Sequence, residues 1–257
     1  MNKRLVAGAV VVLALGGCAK DGRADGAAAT AEVTVSAASS VTAVFRELEP
    51  AFEAANPGVT LTFNTGASSS LAEQIVRGAP VDVFASADFV TMDRVVRAGA
   101  AQGKPRRFAR NVLQLAVPKD NQGEVRGLAD LARPELVVAL CAPQVPCGRA
   151  AERVLAAARV KAKPDSFEQD VTATITKVRL GEVDAALAYR TDVLAAGDEV
   201  TGIDFPEASA GVNDYLIVRV KGSDPAAGRA PGADAFIDYV LGRAGQAALS
   251  AAGFRTP

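Results

Sequence analysis

The chain has 257 residues, of which 49% are hydrophobic and 22% are charged, and its 28 basic and 29 acidic residues leave a net charge of −1. This length is enough for one or two domains with a large core, and the balanced charge gives no electrostatic reason to expect a nucleic-acid partner. The chain contains no histidine, which excludes Ser-His-Asp and Cys-His catalytic arrangements and removes the commonest protein ligand for metals.

The N-terminus predicts export. Residues 1–4, MNKR, form a short positive segment, and the apolar run LVAGAVVVLA follows at residues 5–14. Such a run is too short to span a membrane comfortably, and its positive flank is typical of a secretory signal. The next residues, LGGC, resemble a bacterial lipobox, in which Cys18 is lipidated and becomes the mature N-terminus. A plain signal peptide with a chance cysteine is the alternative.

We therefore predict a lipoprotein signal peptide at residues 1–17. Residues 18–31 are expected to form a flexible tether, because this stretch is polar, rich in Gly and Ala, and without hydrophobic periodicity. The mature protein is expected to be exported and lipid-anchored to the cell membrane, on its periplasmic or extracellular face.

Strand-like and helical patterns alternate through the rest of the chain. Strands are predicted at 33–38, 59–63, 81–86, 112–118, 136–142, 185–189 and 215–220, and amphipathic helices at 41–55, 70–78, 88–98, 149–159, 172–180 and 232–250. This alternation favours an α/β protein with mostly parallel sheets. Pro50 interrupts the first helical pattern, so that helix is expected to kink or restart there.

Two long strand-like segments, near 109–119 and 213–222, flank a second set of α/β units. They are expected to be hinge crossings between two lobes. The first lobe would contain residues 32–112 and 222–257, and the second lobe residues 113–221. A ligand site would then lie in the cleft between the lobes, near the carboxyl ends of the strands.

Four predicted helices begin directly after strands with residues suited to an anion site. A helix start carries unpaired backbone N–H groups and the positive end of the helix dipole. Four starts drawn from both lobes could therefore enclose one small dianion without a charged side chain. The residues at these starts are Ser39 and Ser40, Ser68 to Ser70, Cys147, and Asp170 with Val171.

These residues also have purely structural interpretations. A serine at a helix start is more often a cap, and Ser70, three residues before Glu73, fits a capping box. Asp170 is adjacent to the site and could turn inward, but a carboxylate at a helix start more often caps it. Tyr189, in LAYRTD, would ordinarily be a half-buried aromatic residue whose hydroxyl is satisfied locally.

The cysteines favour a structural disulfide. If Cys18 carries a lipid, Cys141 and Cys147 remain, six positions apart across a proline-bearing loop. In an oxidising compartment two such thiols are expected to pair. The spacing is not CxxC and the chain offers no histidine, so redox and metal sites are not favoured.

Several motifs together carry a family resemblance. They are VTVSAASSVTAVF, GASSSLAEQIVRGAPVDVFASAD, QVPCGRAAERVL, DVTATITKVRLGEVDAALAYRTDV and FIDYVLGRAGQAALSAAGF. From about residue 32 to 255 the sequence resembles the periplasmic molybdate-binding proteins, the solute receptors of molybdate ABC transporters. The resemblance implies a two-lobed, type II-like periplasmic-binding-protein fold of class α/β, with mixed sheets flanked by helices. It also implies capture of molybdate, and of tungstate, without catalysis or a cofactor.

The resemblance implies a set of neutral ligands for the oxyanion and no direct metal ligand. They are the hydroxyls of Ser40, Ser68 and Tyr189 and the backbone N–H groups of Cys147 and Val171. Ser39 is the register alternative to Ser40, and the N–H of Ser69 is a possible addition. Cys147 departs from the family, in which a small residue such as alanine is common there, and a bridge to Cys141 would rigidify the turn. The implied partners are a membrane permease and, through the lipid, the membrane; a monomer is expected.

The five positions contain no carboxylate, which bears on the choice of ligand. Phosphate carries a proton at neutral pH and needs an acceptor, whereas a pocket of donors prefers a fully ionised dianion such as molybdate, tungstate or sulfate. A receptor for sulfate or another tetrahedral oxyanion is therefore the first alternative. An exported hydrolase with paired carboxylates is a second, although the chain has no tryptophan and only 5% aromatic residues. A structural cell-surface adhesin is a third, which the α/β alternation does not support.

Overall fold

The structure, a computed structural model, describes residues 31–222 and 229–257. The predicted signal peptide, the lipidation site Cys18 and the tether up to residue 30 lie outside the described residues. Within the described part, no helix combines the length and the apolar character needed to cross a membrane.

The chain forms two α/β lobes in succession and then returns to the first. The first stretch contains β1 (Ala31–Ala38), α1 (Thr42–Ala55), β2 (Val59–Gly66), α2 (Ser68–Val76), β3 (Val83–Ser86), α3 (Phe89–Arg97) and β4 (Ala101–Asn111). The second contains β5 (Leu113–Pro118), β6 (Val138–Cys141), α4 (Pro146–Ala158), β7 (Ser166–Glu168), α5 (Val171–Arg179), β8 (Ala185–Tyr189), α6 (Arg190–Ala196) and β9 (Val200–Ile203). The returning segment contains β10 (Asn213–Val220), α7 (Arg229–Leu241) and α8 (Arg243–Ala251).

Each lobe is built on one five-stranded sheet, and the two sheets have the same plan. The strand orders are β2-β1-β3-β10-β4 and β7-β6-β8-β5-β9. Among the described strands, each sheet has two parallel pairs followed by two antiparallel pairs. The expectation of mostly parallel sheets was therefore wrong, whereas the mixed, helix-flanked sheets that the resemblance implied are present.

The position of β10 corrects the predicted lobe boundary. Residues 213–221 were assigned to the second lobe, but β10 pairs with β3 and β4 in the first sheet. Its apolar side chains, such as Tyr215 and Ile217, are buried in the core of that lobe. We therefore use "first lobe" for the described residues up to 111 and from 213 onward, and "second lobe" for residues 113–212.

Several other local expectations also changed. Helix α1 runs through Pro50 without restarting, because buried Phe45, Leu48 and Phe52 on either side anchor one continuous apolar face and outweigh the lost hydrogen bond. The predicted helix 232–250 is divided at Gly242 into α7 and α8. Strands β4, β7 and β9 and helix α6 were missed because they are short or largely polar.

Candidate functional site

The shared plan of the two sheets brings four helix starts to matching positions. Helix α1, preceded by a short 3-10 helix at Ser39–Val41, follows β1, and α4 follows β6. Helix α2 follows β2, and α5 follows β7, so each lobe contributes the same two strand-to-helix junctions. Because parallel strands end at one edge of a sheet, these junctions converge on the cleft.

A small cavity lies where junctions from both lobes meet. Its lining comes from Ala67, Ser68 and Ala87 of the first lobe and from Val145, Pro146, Cys147, Asp170 and Tyr189 of the second lobe. Three of the predicted ligand residues, Ser68, Cys147 and Tyr189, therefore share one cavity. No lysine or arginine is among these described lining residues.

Ser39 and Ser40 line a larger neighbouring cavity of about 820 Å³, which is also bounded by both lobes. Asp170 lines both cavities, and Thr172 lines the larger one. Val171 lies between these two residues, at the first position of α5, and its side chain is buried. The structure thus places four of the five predicted residues, Ser40, Ser68, Cys147 and Tyr189, in the linings of two adjoining cavities, whereas Val171 lines neither.

Ser68 begins α2 and is 1% exposed. Its Oγ accepts a hydrogen bond from the backbone N–H of Ala87 at 3.0 Å, which leaves its own proton available to another acceptor. The prediction that Ser70 caps this helix was wrong. The residue at the cap position is Ala67, which has extended backbone angles and no capping side chain, so the helix begins two residues earlier than expected. Ser70 is exposed, and Ser69 is half-buried.

Ser40 is buried, and its Oγ lies 2.9 Å from the hydroxyl oxygen of Tyr215. Tyr215 belongs to β10, so this contact joins the first junction of the first lobe to the strand that returns from the second lobe. Sequence reasoning missed Tyr215, because its apolar strand context identified it only as a core residue.

Tyr189 ends β8 and is fully enclosed, with its ring centroid 6.0 Å from that of Tyr215. Its hydroxyl oxygen accepts a hydrogen bond from Nδ2 of Asn213 at 2.6 Å. Burial raises the pKa of both tyrosine hydroxyls well above the ordinary value, because a phenolate would be desolvated here. Both hydroxyls are therefore neutral and keep their protons.

Cys147 occupies the second position of α4 and is joined to Cys141 by a disulfide, with the two Cα atoms 5.7 Å apart. The next residue must be glycine, because a Cβ at Gly148 would lie 1.9 Å from the carbonyl oxygen of Ala142. The Cys141 sulfur also lies 3.3 Å from the hydroxyl of Thr174 in α5. The bridge therefore packs between the two helix starts of the second lobe.

Asp170 caps α5, as predicted: its carboxylate accepts a hydrogen bond from the Ala173 N–H at 2.9 Å. This bond engages one carboxylate oxygen of a residue that lines both cavities.

An ion pair connects the lobes beside the small cavity. Arg149, in the first turn of α4, donates through Nε to the Asp88 carboxylate and through Nη2 to the Thr91 hydroxyl, each at 2.8 Å. Asp88 caps α3, and its side chain is only 7% exposed. Sequence reasoning missed this contact, because the pattern around each residue predicts only a helix start.

Asp192 is a half-buried residue that lines the larger cavity. Its Oδ2 atom has no hydrogen-bond partner among the described residues. Burial, with a smaller contribution from the charge of Asp170, raises its pKa to about 8. Asp192 is therefore mostly neutral at neutral pH, so it adds little negative charge to the cleft.

The architecture matches two solved oxyanion-binding proteins. The periplasmic molybdate-binding protein of Azotobacter vinelandii superimposes with a TM-score of 0.71 at 22% identity, covering 88% of this chain and 99% of that one. The sulfate-binding protein SubI of Mycobacterium tuberculosis gives 0.74 at 19% identity, covering 88% and 86%. At these identities the matches establish the two-lobed fold and do not choose between the ligands.

A family model decides the membership. The model for bacterial extracellular solute-binding proteins matches residues 33–255. The chain belongs to the bacterial extracellular solute-binding proteins. The molybdate-binding protein ModA of Mycobacterium tuberculosis is 40% identical to this solute-binding protein over 226 residues, covering 88% of this chain and 85% of the relative.

A more distant relative gives the same result. ModA of Escherichia coli is 28% identical over 225 residues, covering 82% of this chain and 84% of the relative. The resemblance to molybdate-binding proteins is thus confirmed across most of the chain. Because the family and these relatives are solute-binding proteins, the expectation of a non-catalytic protein is confirmed, and no cofactor is implied.

Proposed function

We propose that this solute-binding protein captures molybdate, and tungstate through the same contacts, and delivers it to the membrane permease of an ABC transporter. The observation that carries the proposal is the convergence of neutral donors from both lobes on a small cavity that no lysine or arginine among the described residues lines. The 40% identity to a molybdate-binding protein over most of the chain supports the same ligand class.

Five residues would hold the oxyanion. Ser40, Ser68 and Tyr189 would donate hydroxyl protons, and Cys147 and Val171 would donate their backbone N–H groups. In support of this, Cys147 is the second residue of α4 and Val171 is the first residue of α5. Backbone N–H groups at these positions have no partner within the helix. Ser39 and the N–H of Ser69 are adjacent and could complete the set.

The donors would stabilise a dianion without a counter-charge. Helix dipoles place partial positive charge at each start, and hydrogen bonds to an ionised oxygen are about twice as strong as neutral ones. Phosphate, which retains a proton at neutral pH, would meet donors where it needs an acceptor. Sulfate shares the full ionisation of molybdate, so the size of the cavity would have to reject it.

Binding would close the lobes about the crossings near residues 111–113 and 213. The ion pair between Arg149 and Asp88 supports closure, because it spans the lobes beside the cavity and both side chains are largely buried. A charge pair in this position would form or break as the lobes move.

We further propose that Cys18 carries a lipid that anchors a monomeric protein to the outer face of the membrane. The support is the LGGC motif after an apolar signal-like run. Mass spectrometry of the mature N-terminus tests this proposal: an acylated Cys18 is expected, and an unmodified one would reject the anchor while leaving the ligand proposal intact.

Thermal denaturation of the soluble mature protein with molybdate, tungstate, sulfate or phosphate tests the ligand. At a ligand concentration about a thousand times the dissociation constant, linkage predicts about 4 kcal/mol of stabilisation. Molybdate and tungstate are expected to raise the melting temperature strongly, and sulfate and phosphate only slightly. A flat response to all four would reject an oxyanion receptor, and a preference for sulfate would select the sulfate alternative.

A further inference from the structure

Each hydroxyl proposed to contact the anion already accepts, or is placed to accept, a hydrogen bond from a second protein group. We infer that these three groups, the Ala87 N–H, the Asn213 amide and the Tyr215 hydroxyl, fix Ser68, Tyr189 and Ser40 as donors and thereby set the selectivity for a fully deprotonated anion. We call Ala87, Asn213 and Tyr215 the supporting donors. The inference rests on the proposed function and adds two side chains, Asn213 and Tyr215, as positioning residues.

The direction of the bond at Ser68 is fixed by chemistry. The Ala87 backbone N–H can only donate, so the Ser68 Oγ accepts it at 3.0 Å. The serine side chain is almost completely buried, and a buried hydroxyl proton needs an acceptor. The small cavity, which both Ala87 and Ser68 line, is where a bound anion would supply that acceptor.

The direction at Tyr189 depends on how the Asn213 amide is oriented. Arg153 donates through Nη2 to Oδ1 of Asn213 at 2.6 Å, and a guanidinium cannot accept a hydrogen bond. The amide oxygen must therefore face Arg153, which turns Nδ2 toward the hydroxyl of Tyr189 at 2.6 Å and the carbonyl oxygen of Pro146 at 3.3 Å. The Tyr189 oxygen is thus an acceptor on its inner side, and its proton is available to the neighbouring Tyr215 hydroxyl and to a ligand in the cavity.

At Ser40 either oxygen could donate, and we assign the donor role to Tyr215. Tyr215 is completely buried, with its ring packed edge-on against Phe108 and Phe254. Tyr189 and Asn111 also interact with this phenol, and the Ser40 Oγ at 2.9 Å is the acceptor assigned to it. Ser40 itself borders the larger cavity, so it can donate to a ligand while Tyr215 donates to it.

The consequence is a pocket in which each of these hydroxyls already has one acceptor position filled before the ligand arrives. The group on each hydroxyl that still needs a partner is its proton, so an anion oxygen that accepts is favoured over one that carries a proton. An unsatisfied buried donor is costly, so protonated oxyanions are rejected by the polarity of the pocket. Asn213 and Tyr215, which line neither cavity, therefore contribute to selectivity without touching the anion.

Replacing Tyr215 by phenylalanine tests which oxygen donates in the hydrogen bond between Ser40 and Tyr215, because the two directions predict opposite changes in molybdate affinity. Calorimetric titration with sodium molybdate is expected to show about tenfold weaker binding by Tyr215→Phe. The matched control is Tyr239→Phe, which removes a hydroxyl from a ring that packs against Phe52 in the same lobe and should leave binding within about twofold. If Ser40 instead donated to Tyr215, removing that acceptor would free the serine proton, so unchanged or tighter binding would overturn the assignment.

A double-mutant cycle tests whether Asn213 acts through Tyr189. Asn213→Leu is expected to weaken molybdate binding about tenfold in the wild-type background and by less than about twofold in the Tyr189→Phe background, because the hydroxyl that it orients is then missing. A role of Asn213 in the hinge alone would give the same loss in both backgrounds, and that result would reject the inference for this residue.

The wild-type titration separates failure of the inference from failure of the proposed function. If the wild-type protein binds no tetrahedral dianion, the proposed function fails. If it binds molybdate while both substitutions are silent, the function stands and the supporting donors are rejected. Melting temperatures without ligand identify a variant that does not fold, and the Tyr215→Phe result, which keeps the ring in place, then decides the inference.

Discussion

The two lobes share one sheet plan but are stabilised by different chemistry. The first lobe has a core of interlocking rings, in which Phe236 packs edge-on against Phe45 and Phe52 at 5.4 and 5.3 Å. The second lobe has an almost wholly aliphatic core of Leu, Val and Ala side chains and contains the disulfide. Strand order therefore does not dictate core composition, and a common scaffold can be filled in two ways.

The two lobes would also contribute different kinds of ligand to the oxyanion. The first lobe would contribute side-chain hydroxyls, from Ser40 and Ser68, and the second lobe mainly backbone N–H groups, from Cys147 and Val171. A hydroxyl can be removed by one substitution, whereas a backbone donor depends on the conformation of its turn. The disulfide and Gly148 restrict that conformation in the lobe that needs it.

The largest loss of stability is expected from removing a ring from the aromatic core of the first lobe. Phe236→Ala should lower the free energy of unfolding by about 3–5 kcal/mol, because it leaves a cavity among three rings. Urea denaturation measures the loss. The matched substitution Leu187→Ala in the aliphatic core should cost less, about 2–4 kcal/mol, and a larger loss from Leu187→Ala would reverse the contrast between the cores.

Ser68→Ala tests the division of ligands. Losing a buried hydrogen bond to a dianion should weaken molybdate binding by about 1.5–3 kcal/mol. Ser70→Ala, two residues along the same helix, is the control and should change binding by less than about 0.5 kcal/mol, because Ser70 is exposed. Equal losses, measured by calorimetry, would show that the wrong serine has been assigned to the anion.

Removing the disulfide should affect the second lobe. Replacing Cys141 and Cys147 together by serine is expected to cost about 2 kcal/mol of stability through the short loop that the bridge closes. Thermal denaturation checks this cost, with the wild-type protein under reducing conditions as the comparison. Full stability in the double variant would show that packing around Gly148 already holds the turn without the bridge.

The smallest expected effect concerns pH. The pKa of Asp192 is raised to about 8 in the folded protein from an ordinary value near 3.8, so the folded state binds more protons than the unfolded state between these values. Stability should therefore fall as pH rises from about 4 toward 8. Partial solvent access limits the effect to roughly 1 kcal/mol.

Asp192→Asn should flatten this dependence and stabilise the protein most near pH 8. The measurement is the free energy of unfolding in urea at several pH values. An identical pH profile in wild type and variant would mean that Asp192 ionises normally in the folded protein.

Local signals in the sequence predicted much of the secondary structure. Helix α5 begins at Val171 as expected, because Asp170 gives an unambiguous cap. Strand β4 was missed because its residues AQGKPRRFARN are mostly polar and exposed, so hydrophobic alternation is absent. The start of α2 was misplaced because three adjacent serines give equivalent capping signals.

Non-local contacts account for what the sequence could not predict. The lobe assignment of β10 depends on pairing with β3 and β4, which no local pattern encodes. Tyr215 meets Ser40 across 175 positions, and Arg149 meets Asp88 across 61. The individual ligand candidates were recognisable from motifs, but the groups that orient their protons became visible only in three dimensions.

The two crossings between the lobes lie side by side, since Asn111 and Asn213 are register partners at the ends of β4 and β10. Two neighbouring strands acting together resist twisting far more than one, so the proposed opening of the cleft would be confined to rotation about a single axis. The Asn213 amide lies at this crossing and also bonds Tyr189. A permease that docks on both lobes would therefore distinguish the ligand-bound from the ligand-free protein by a single angle, the angle between the two lobes.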